Sequence, residues 1–304
     1  MAMPDAAQTD LALARRVASR HGAGAVRFLG EGANNLVWRA DGTDGAIVVK
    51  LNKPHRAGFA PDEYAKEAWA SAAARRHGVQ TPAILAHGAI EGRMFQIQEG
   101  IEGRAPRPDE ALGVWRVLGE MARRCHAIAV EGWGFRLRTD GVFAENWQAH
   151  LSYNITSLTP DDVLIARGTI DRAISRRLRG AFEHLAAQDF RFGLCHGDMA
   201  LSNTLIDGAG TVWLLDWGSA AAHVVPHYEI NEIRRGPAPG REALGAFLDG
   251  YGMAPAAHAA LGRERRALAA LREIDTLRWA LEHDPDMVAQ MSARAAAAAA
   301  KVEA

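Results

Sequence analysis

Apolar and polar positions along the first hundred residues follow two periods in turn. Over 4–20, Leu11, Leu13 and Val17 mark an amphipathic helix that Gly22 stops. The period then shortens to that of a strand. Val26–Leu29 leads into a glycine turn, Leu36–Ala40 ends at Asp41-Gly42, and Ile47–Leu51 is a β-branched apolar run. A helix is expected over 62–77, closed by Gly78, a residue suited to the left-handed end of a helix. Strands near Ile84–His87 and Met94–Gln98 bring the chain to Gly100, Gly103 and Pro106. There we place a boundary between an N-terminal unit, 1–102, and a C-terminal unit, 103–304.

Beyond that boundary the pattern is mostly helical. Ala111, Val114, Trp115, Leu118, Met121, Cys125 and Ile128 share one face of a helix over 109–128. Further helices are expected over 145–156, 169–187, 240–250, 257–283 and 285–300. The exception is a short hairpin, Thr204–Ile206 with Val212–Leu215, around Asp207-Gly208. A β-rich first lobe and a larger helical second lobe carrying a hairpin describe an α+β, two-lobed architecture.

Composition narrows the function. The chain has 304 residues and a net charge of −1, so it carries no electrostatic footprint for nucleic acid or an anionic membrane. No apolar run is long enough to span a bilayer, and the first residues lack the basic and apolar stretches of a secretory signal. Cys125 and Cys195 stand far apart, as reduced thiols of a cytoplasmic protein do. No zinc site is expected among the 12 histidines. Lysine occurs only at 50, 53, 66 and 301, so a lysine ending an apolar strand implies a need for an ammonium group.

The candidate chemistry lies in His196-Gly197-Asp198-Met199-Ala200-Leu201-Ser202-Asn203, followed by Leu214-Leu215-Asp216-Trp217-Gly218. An Asn stands five positions after the first Asp, and a second Asp thirteen positions further on. Transfer of a phosphoryl group from ATP or GTP needs one carboxylate to orient the acceptor hydroxyl and take its proton. It needs an amide oxygen and a second carboxylate to hold Mg²⁺. Asp198 suits the first role; Asn203 and Asp216 suit the second. Lys50 closes the strand Ile47–Leu51, where its ammonium can reach the phosphates. The turn Gly30-Glu31-Gly32-Ala33-Asn34-Asn35 lets backbone amides approach phosphate oxygens, with Gly30, Gly32, Asn34 and Asn35 as the contact residues.

These blocks, HGDMALSN, LLDWG and the strand-end lysine, resemble the aminoglycoside phosphotransferase-like small-molecule kinases, which share the protein-kinase fold. The resemblance runs through most of the chain in order, with Met199 and Asn35 as departures. It implies that Glu67 holds Lys50 in place, with Glu63 as the competing partner. It also implies that Glu99 and Ile101 form a backbone hinge for the purine base. Gly197 stands where protein kinases carry an arginine, and about nine residues separate Asp216 from Pro226, too few for a peptide platform.

The expected acceptor is therefore a small-molecule hydroxyl, first of all that of an aminoglycoside-type antibiotic, which would make the protein a resistance enzyme. A kinase of an ordinary metabolite is the alternative, and a non-catalytic nucleotide-binding scaffold is a third reading. A polycationic acceptor needs carboxylates around it, and the resemblance points to Glu229, Glu232, Glu273 and Asp275. His196 is read as a packed, hydrogen-bonded structural residue, and Trp133 and Trp147 as packing residues.

Overall fold

Five strands, β1 (Ala23–Glu31), β2 (Asn35–Gly42), β3 (Gly45–Asn52), β4 (Ile84–Ile90) and β5 (Arg93–Glu99), form an antiparallel sheet in the order β1-β2-β3-β5-β4 in a computed structural model. The structure describes residues 5–32, 34–43, 45–54, 60–235 and 240–303. Pro4 of the expected first helix and Ala33 of the glycine turn lie outside the described residues. Side chains on a strand alternate between its two faces. On β3, Ile47, Val49 and Leu51 pack with Trp38, with Ile97 and with Leu13 and Val17 of α1 (Asp5–Arg20). Lys50 must then point the other way, where α2 (Ala60–Arg76) lies.

The C-terminal part is organised around two helical cores. In the first, α3 (Ala111–Cys125) buries Val114, Trp115, Leu118, Met121 and Cys125, as its periodicity predicts. A short 3₁₀ turn, Pro108–Glu110, precedes it. Helix α8 (Arg241–Tyr251) lies so close that a Cβ on Gly119 or Gly250 would strike the facing backbone. The same core takes in Leu214 and Trp217, which fixes the hairpin segment against the helices.

The second core joins α4 (Trp147–Ser157), α5 (Val163–Ala166), α6 (Arg172–Ala186), α10 (Gly262–His283) and α11 (Val288–Ala299) through Leu151, Leu164, Leu178, Phe182, Ile274, Leu277 and Met291. Each such fully buried side chain contributes roughly 1.5–3 kcal/mol relative to an exposed one. Helices α4 and α6 begin at Asn146 and Asp171, whose side chains accept the N–H of Ala149 and of Ile174. The expected helix over 257–283 is divided: α9 (Pro255–Ala260) stops at Leu261 before α10 begins. The expected helix over 285–300 opens with a 3₁₀ turn, Pro285–Met287.

Two sheets complete this part. β6 (Gly103–Arg104) pairs with β10 (Thr204–Asp207), which pairs with β11 (Val212–Leu214). A further sheet has the order β8-β7-β12-β9, from β7 (Trp133–Thr139), β8 (Val142–Glu145), β9 (Phe192–Cys195) and β12 (Ala221–Val224). The hydropathy pattern does not predict this second sheet. β9 and β12 are four residues each and small, and the alternation in β7 is broken by glycine. Helix α7 (His227–Arg235) follows β12 and is likewise unforeseen. Its buried residues include the charged Glu229, which obscures the apolar face.

Candidate active site

The loop after β9 is held from three sides. His196 Nε2 lies 3.0 Å from the Leu215 carbonyl, so that nitrogen donates, and Nδ1 accepts the Asp198 N–H at 3.2 Å. Trp217 meets the same imidazole edge-on at 4.8 Å between centroids. Beneath the loop the buried Glu229 carboxylate accepts the His196 N–H at 2.8 Å and the Gly197 N–H at 3.1 Å. Gly197 has φ 79, and a Cβ there would come 2.5 Å from the Ser219 carbonyl oxygen. Only glycine lets this loop lie against the turn after Asp216.

On this scaffold the Asp198 carboxylate accepts a hydrogen bond from Asn203 Nδ2 at 2.8 Å. Burial pushes the Asp198 carboxyl above its ordinary pKa, and the Asn203 hydrogen bond opposes this only in part. The Leu215 N–H donates to the Asn203 carbonyl at 2.8 Å, which brings Asn203 beside Asp216 at the open end of the β10–β11 hairpin. Asp216 has φ 62, a left-handed conformation that Asp tolerates better than most residues with a Cβ.

Lys50 connects the two lobes. Its ammonium lies 2.6 Å from Glu67 Oε1 on α2 and 3.3 Å from Asp216 Oδ1. Of the two candidate partners on α2, Glu67 lies at salt-bridge distance from Lys50. Burial pulls the Lys50 pKa down, but Glu67 and Asp216 outweigh it and the ammonium stays charged. Lys50 in turn holds the Asp216 carboxyl below the usual range.

Lys50, Glu67, Asp198 and Asp216 face one cleft of ≈ 1060 Å³, whose lining also includes Gly32, Asn34 and Asn35 but not Asn203. Asn35 is anchored by Tyr64 of α2, whose hydroxyl donates to Asn35 Oδ1 at 2.7 Å. Gly30, Glu99 and Ile101 are not in the lining. Gly30 belongs to β1, and the Glu99 N–H donates to the Ala83 carbonyl at 2.8 Å, so only the Glu99 carbonyl is left for a base.

The acceptor expectations need correction. Glu229 is wholly buried beneath the catalytic loop, and Glu273 is turned to Arg235 and Arg294 at 2.8 and 2.9 Å. Neither lines the cleft. Glu232 and Asp275 do, but both have partners. Glu232 lies 3.5 Å from Arg235 and 3.7 Å from Arg272, and Asp275 lies 2.9 Å from His150 and 3.0 Å from Asn154.

Sequence reading missed the rest of that end. Trp133, Phe135, His150, His223, Tyr228 and Trp279 line it. Trp133 is both packed and part of the cleft wall, whereas Trp147 belongs to the second core. The guanidinium of Arg272 lies 4.9 Å from the Phe135 ring centroid. The one available signal was aromatic spacing in Trp133-Gly134-Phe135. His223 and His227 stand four apart, a spacing used by helical metal pairs, but β12 ends and α7 begins between them, so they share no helix face.

Comparison with known proteins agrees with this geometry. No curated protein matches the sequence. Among solved structures, a thermostable mutant of aminoglycoside phosphotransferase APH(4)-Ia, in a ternary complex with ADP and hygromycin B, is 20% identical with a TM-score of 0.63, covering 94% of this chain and 98% of that one. Macrolide 2′-phosphotransferase MphH from Brachybacterium faecium is 18% identical with a TM-score of 0.58, over 93% and 97%. A protein designated a fructosamine-3-kinase from Haemophilus somnus is 10% identical with a TM-score of 0.60, over 91% of each chain. At such identities these structures establish the fold, the two-lobed protein-kinase-like one. Residues 25–261, which run from the glycine turn through Lys50 to the Asp198 and Asp216 loops, match the Phosphotransferase enzyme family (APH), and the chain belongs to that family.

Proposed function

We propose that the protein transfers the γ-phosphate of ATP or GTP to a hydroxyl of a small molecule, in the cytoplasm. The observation that carries this is the Lys50 ammonium set between Glu67 and Asp216, with Asp198 and Asn203 on the adjoining loop. Asp198 orients the acceptor hydroxyl and takes its proton at a carboxylate oxygen. Lys50 holds phosphate oxygens, and Glu67 positions Lys50. Asn34 and Asn35 offer backbone to the phosphates, since the Gly32 N–H already donates to the Asn35 carbonyl at 2.8 Å, and the Glu99 carbonyl with Ile101 offers backbone to the base. Residues 1–102 form the nucleotide lobe and 103–304 the catalytic and acceptor lobe.

The donor set suits Mg²⁺. Asp216 supplies a carboxylate that stays ionised, and Asn203, whose amide nitrogen is held by Asp198, keeps its amide oxygen for a hard cation. When bound, Mg²⁺ neutralises phosphate charge.

An aminoglycoside-type acceptor, and with it a role in antibiotic resistance, is the reading the resemblance suggests. A second reading, a metabolite hydroxyl on a molecule that is not a polycation, is favoured by one observation. Glu232 and Asp275 have cationic or hydrogen-bonding partners already, and aromatic rings form much of the surrounding wall. A coupled nucleotide-turnover assay with aminoglycosides, sugars, amino alcohols and amino acids tests the proposal. At least one acceptor should raise turnover above the acceptor-free rate. Nucleotide binding without turnover on any acceptor would favour a scaffold.

A further inference from the structure

A second pocket, of ≈ 290 Å³, shares no lining residue with the cleft. It lies where α2, α3 and α8 end and β9 begins, and its lining includes Arg123, Arg124, Arg191, His77 and His126 but no carboxylate. Most arginines near the cleft have acidic partners: Arg235 and Arg272 each reach Glu232. In contrast, no ion pair among the described residues involves Arg123, Arg124 or Arg191. Arg124 donates to the Gly78 carbonyl at 2.5 Å and Arg191 to the His126 carbonyl at 2.6 Å. These bonds orient two guanidinium groups without neutralising them, and each guanidinium has further N–H donors. Three guanidinium groups lining a small space, two of them oriented and none with a carboxylate partner among the described residues, match the oxygens of a tetrahedral dianion better than a single carboxylate. The volume admits inorganic phosphate and small phosphate esters.

The pocket also sits one side chain away from the catalytic loop. His126 is 2% exposed, and its Nδ1 lies 2.9 Å from the Tyr251 hydroxyl. Its Nε2 has no hydrogen-bond partner and lies 3.8 Å from Glu229 Oε2, beyond hydrogen-bond reach. Glu229 is the carboxylate that holds the His196 and Gly197 amides. Arg191, on the other side, precedes β9, the strand that leads into that loop. An anion drawing on Arg191 acts on the His126 carbonyl and on β9 together. We infer that this pocket binds a phosphate-class oxyanion, and that its occupancy reaches the Asp198 loop through His126 and Glu229.

The test titrates inorganic phosphate and pyrophosphate into the protein saturated with ADP and Mg²⁺, at ionic strength held constant with KCl. Saturable binding should raise the Tm by about 4 °C at a hundredfold excess over Kd. Arg123→Gln and Arg191→Gln should each weaken that binding at least tenfold, while Lys50→Ala leaves it unchanged. Arg123 is exposed and outside the catalytic machinery, so Arg123→Gln should keep the wild-type Tm and turnover in the absence of phosphate. Added phosphate should change wild-type kcat at least twofold and leave that of Arg123→Gln unmoved. Absence of saturable binding of either anion overturns the site. Binding that survives both arginine changes but is lost in Lys50→Ala assigns it to the nucleotide site and overturns the proposal equally. Binding with no change in kcat overturns the coupling through His126.

Discussion

At one end of the cleft Lys50 pairs with Glu67 and Asp216, and on the adjoining loop Asn203 donates to Asp198; most of these residues come from two short stretches of chain. At the other end, Phe135, His150, Glu232, Arg272 and Asp275 come from β7, α4, α7 and α10, each from a different part of the sequence. Charges at the first end converge and leave one carboxyl, Asp198, with a raised pKa. Charges at the second end mostly compensate in pairs. The first arrangement suits chemistry that is the same for any acceptor. The second suits recognition, which changes with packing and needs no fixed spacing in the chain.

The comparison breaks most sharply at Asp198. Asp198→Asn keeps the shape and the contact with Asn203 but cannot take a proton, so kcat should fall by about 10²–10⁴-fold while nucleotide still binds. A carboxyl whose pKa is raised is protonated, and inactive as a base, over a wider acid range than an ordinary Asp. Wild-type kcat should therefore decline as pH falls, with its midpoint above the ordinary Asp value, and recover as pH rises. A pH–rate profile in the wild type with no acid limb, or an Asp198→Asn protein with near-normal turnover, removes Asp198 from this role.

The same contrast explains what was legible in the sequence. Asp198, Asn203 and Asp216 could be read because a loop, a hairpin and a second loop fix their separation whatever surrounds them. Lys50 could be read because period-two alternation sends it away from Ile47, Val49 and Leu51. The acceptor wall was not legible, since it depends on how β7, α4, α7 and α10, distant in the chain, come together around one cleft. Glu229 shows the difficulty most plainly. The resemblance pointed to it as a cleft carboxylate, yet it is buried to hold two backbone amides, a demand created only by the folded loop. The expected hinge at Glu99 and Ile101 lies outside the cleft lining, and the Glu99 N–H donates to the Ala83 carbonyl.

A smaller effect is expected at Lys50 and Glu67, where the pair can be split. Removing one member of a buried ion pair leaves an uncompensated charge and costs about 3–5 kcal/mol. Lys50→Ala should reduce kcat strongly, and Glu67→Ala less, because Lys50 keeps Asp216 at 3.3 Å as a second partner. The double variant should resemble Lys50→Ala alone, with a coupling of about 1–3 kcal/mol in a double-mutant cycle read from kcat/KM. Additive losses would mean that Glu67 does not act through Lys50.

The smallest effects are expected at the acceptor end, and they decide between its two readings. Glu232 is flanked by Arg235 and Arg272, and burial raises its carboxyl pKa, so its charge is already compensated or diminished. Asp275 is held by His150 and Asn154. Neither offers a free carboxylate to a polycation. Screening charges over a Debye length of about 8 Å at physiological salt should therefore matter little to acceptor capture. Once an acceptor is identified, its KM should rise less than about threefold between low and high salt. Glu232→Gln and Asp275→Asn should each change that KM by a comparable factor, with kcat little altered, since neither touches the transferring phosphoryl group. A tenfold rise in KM with salt that either substitution abolishes would show that the pairs open to receive cationic groups. That result would return the aminoglycoside-type acceptor to first place.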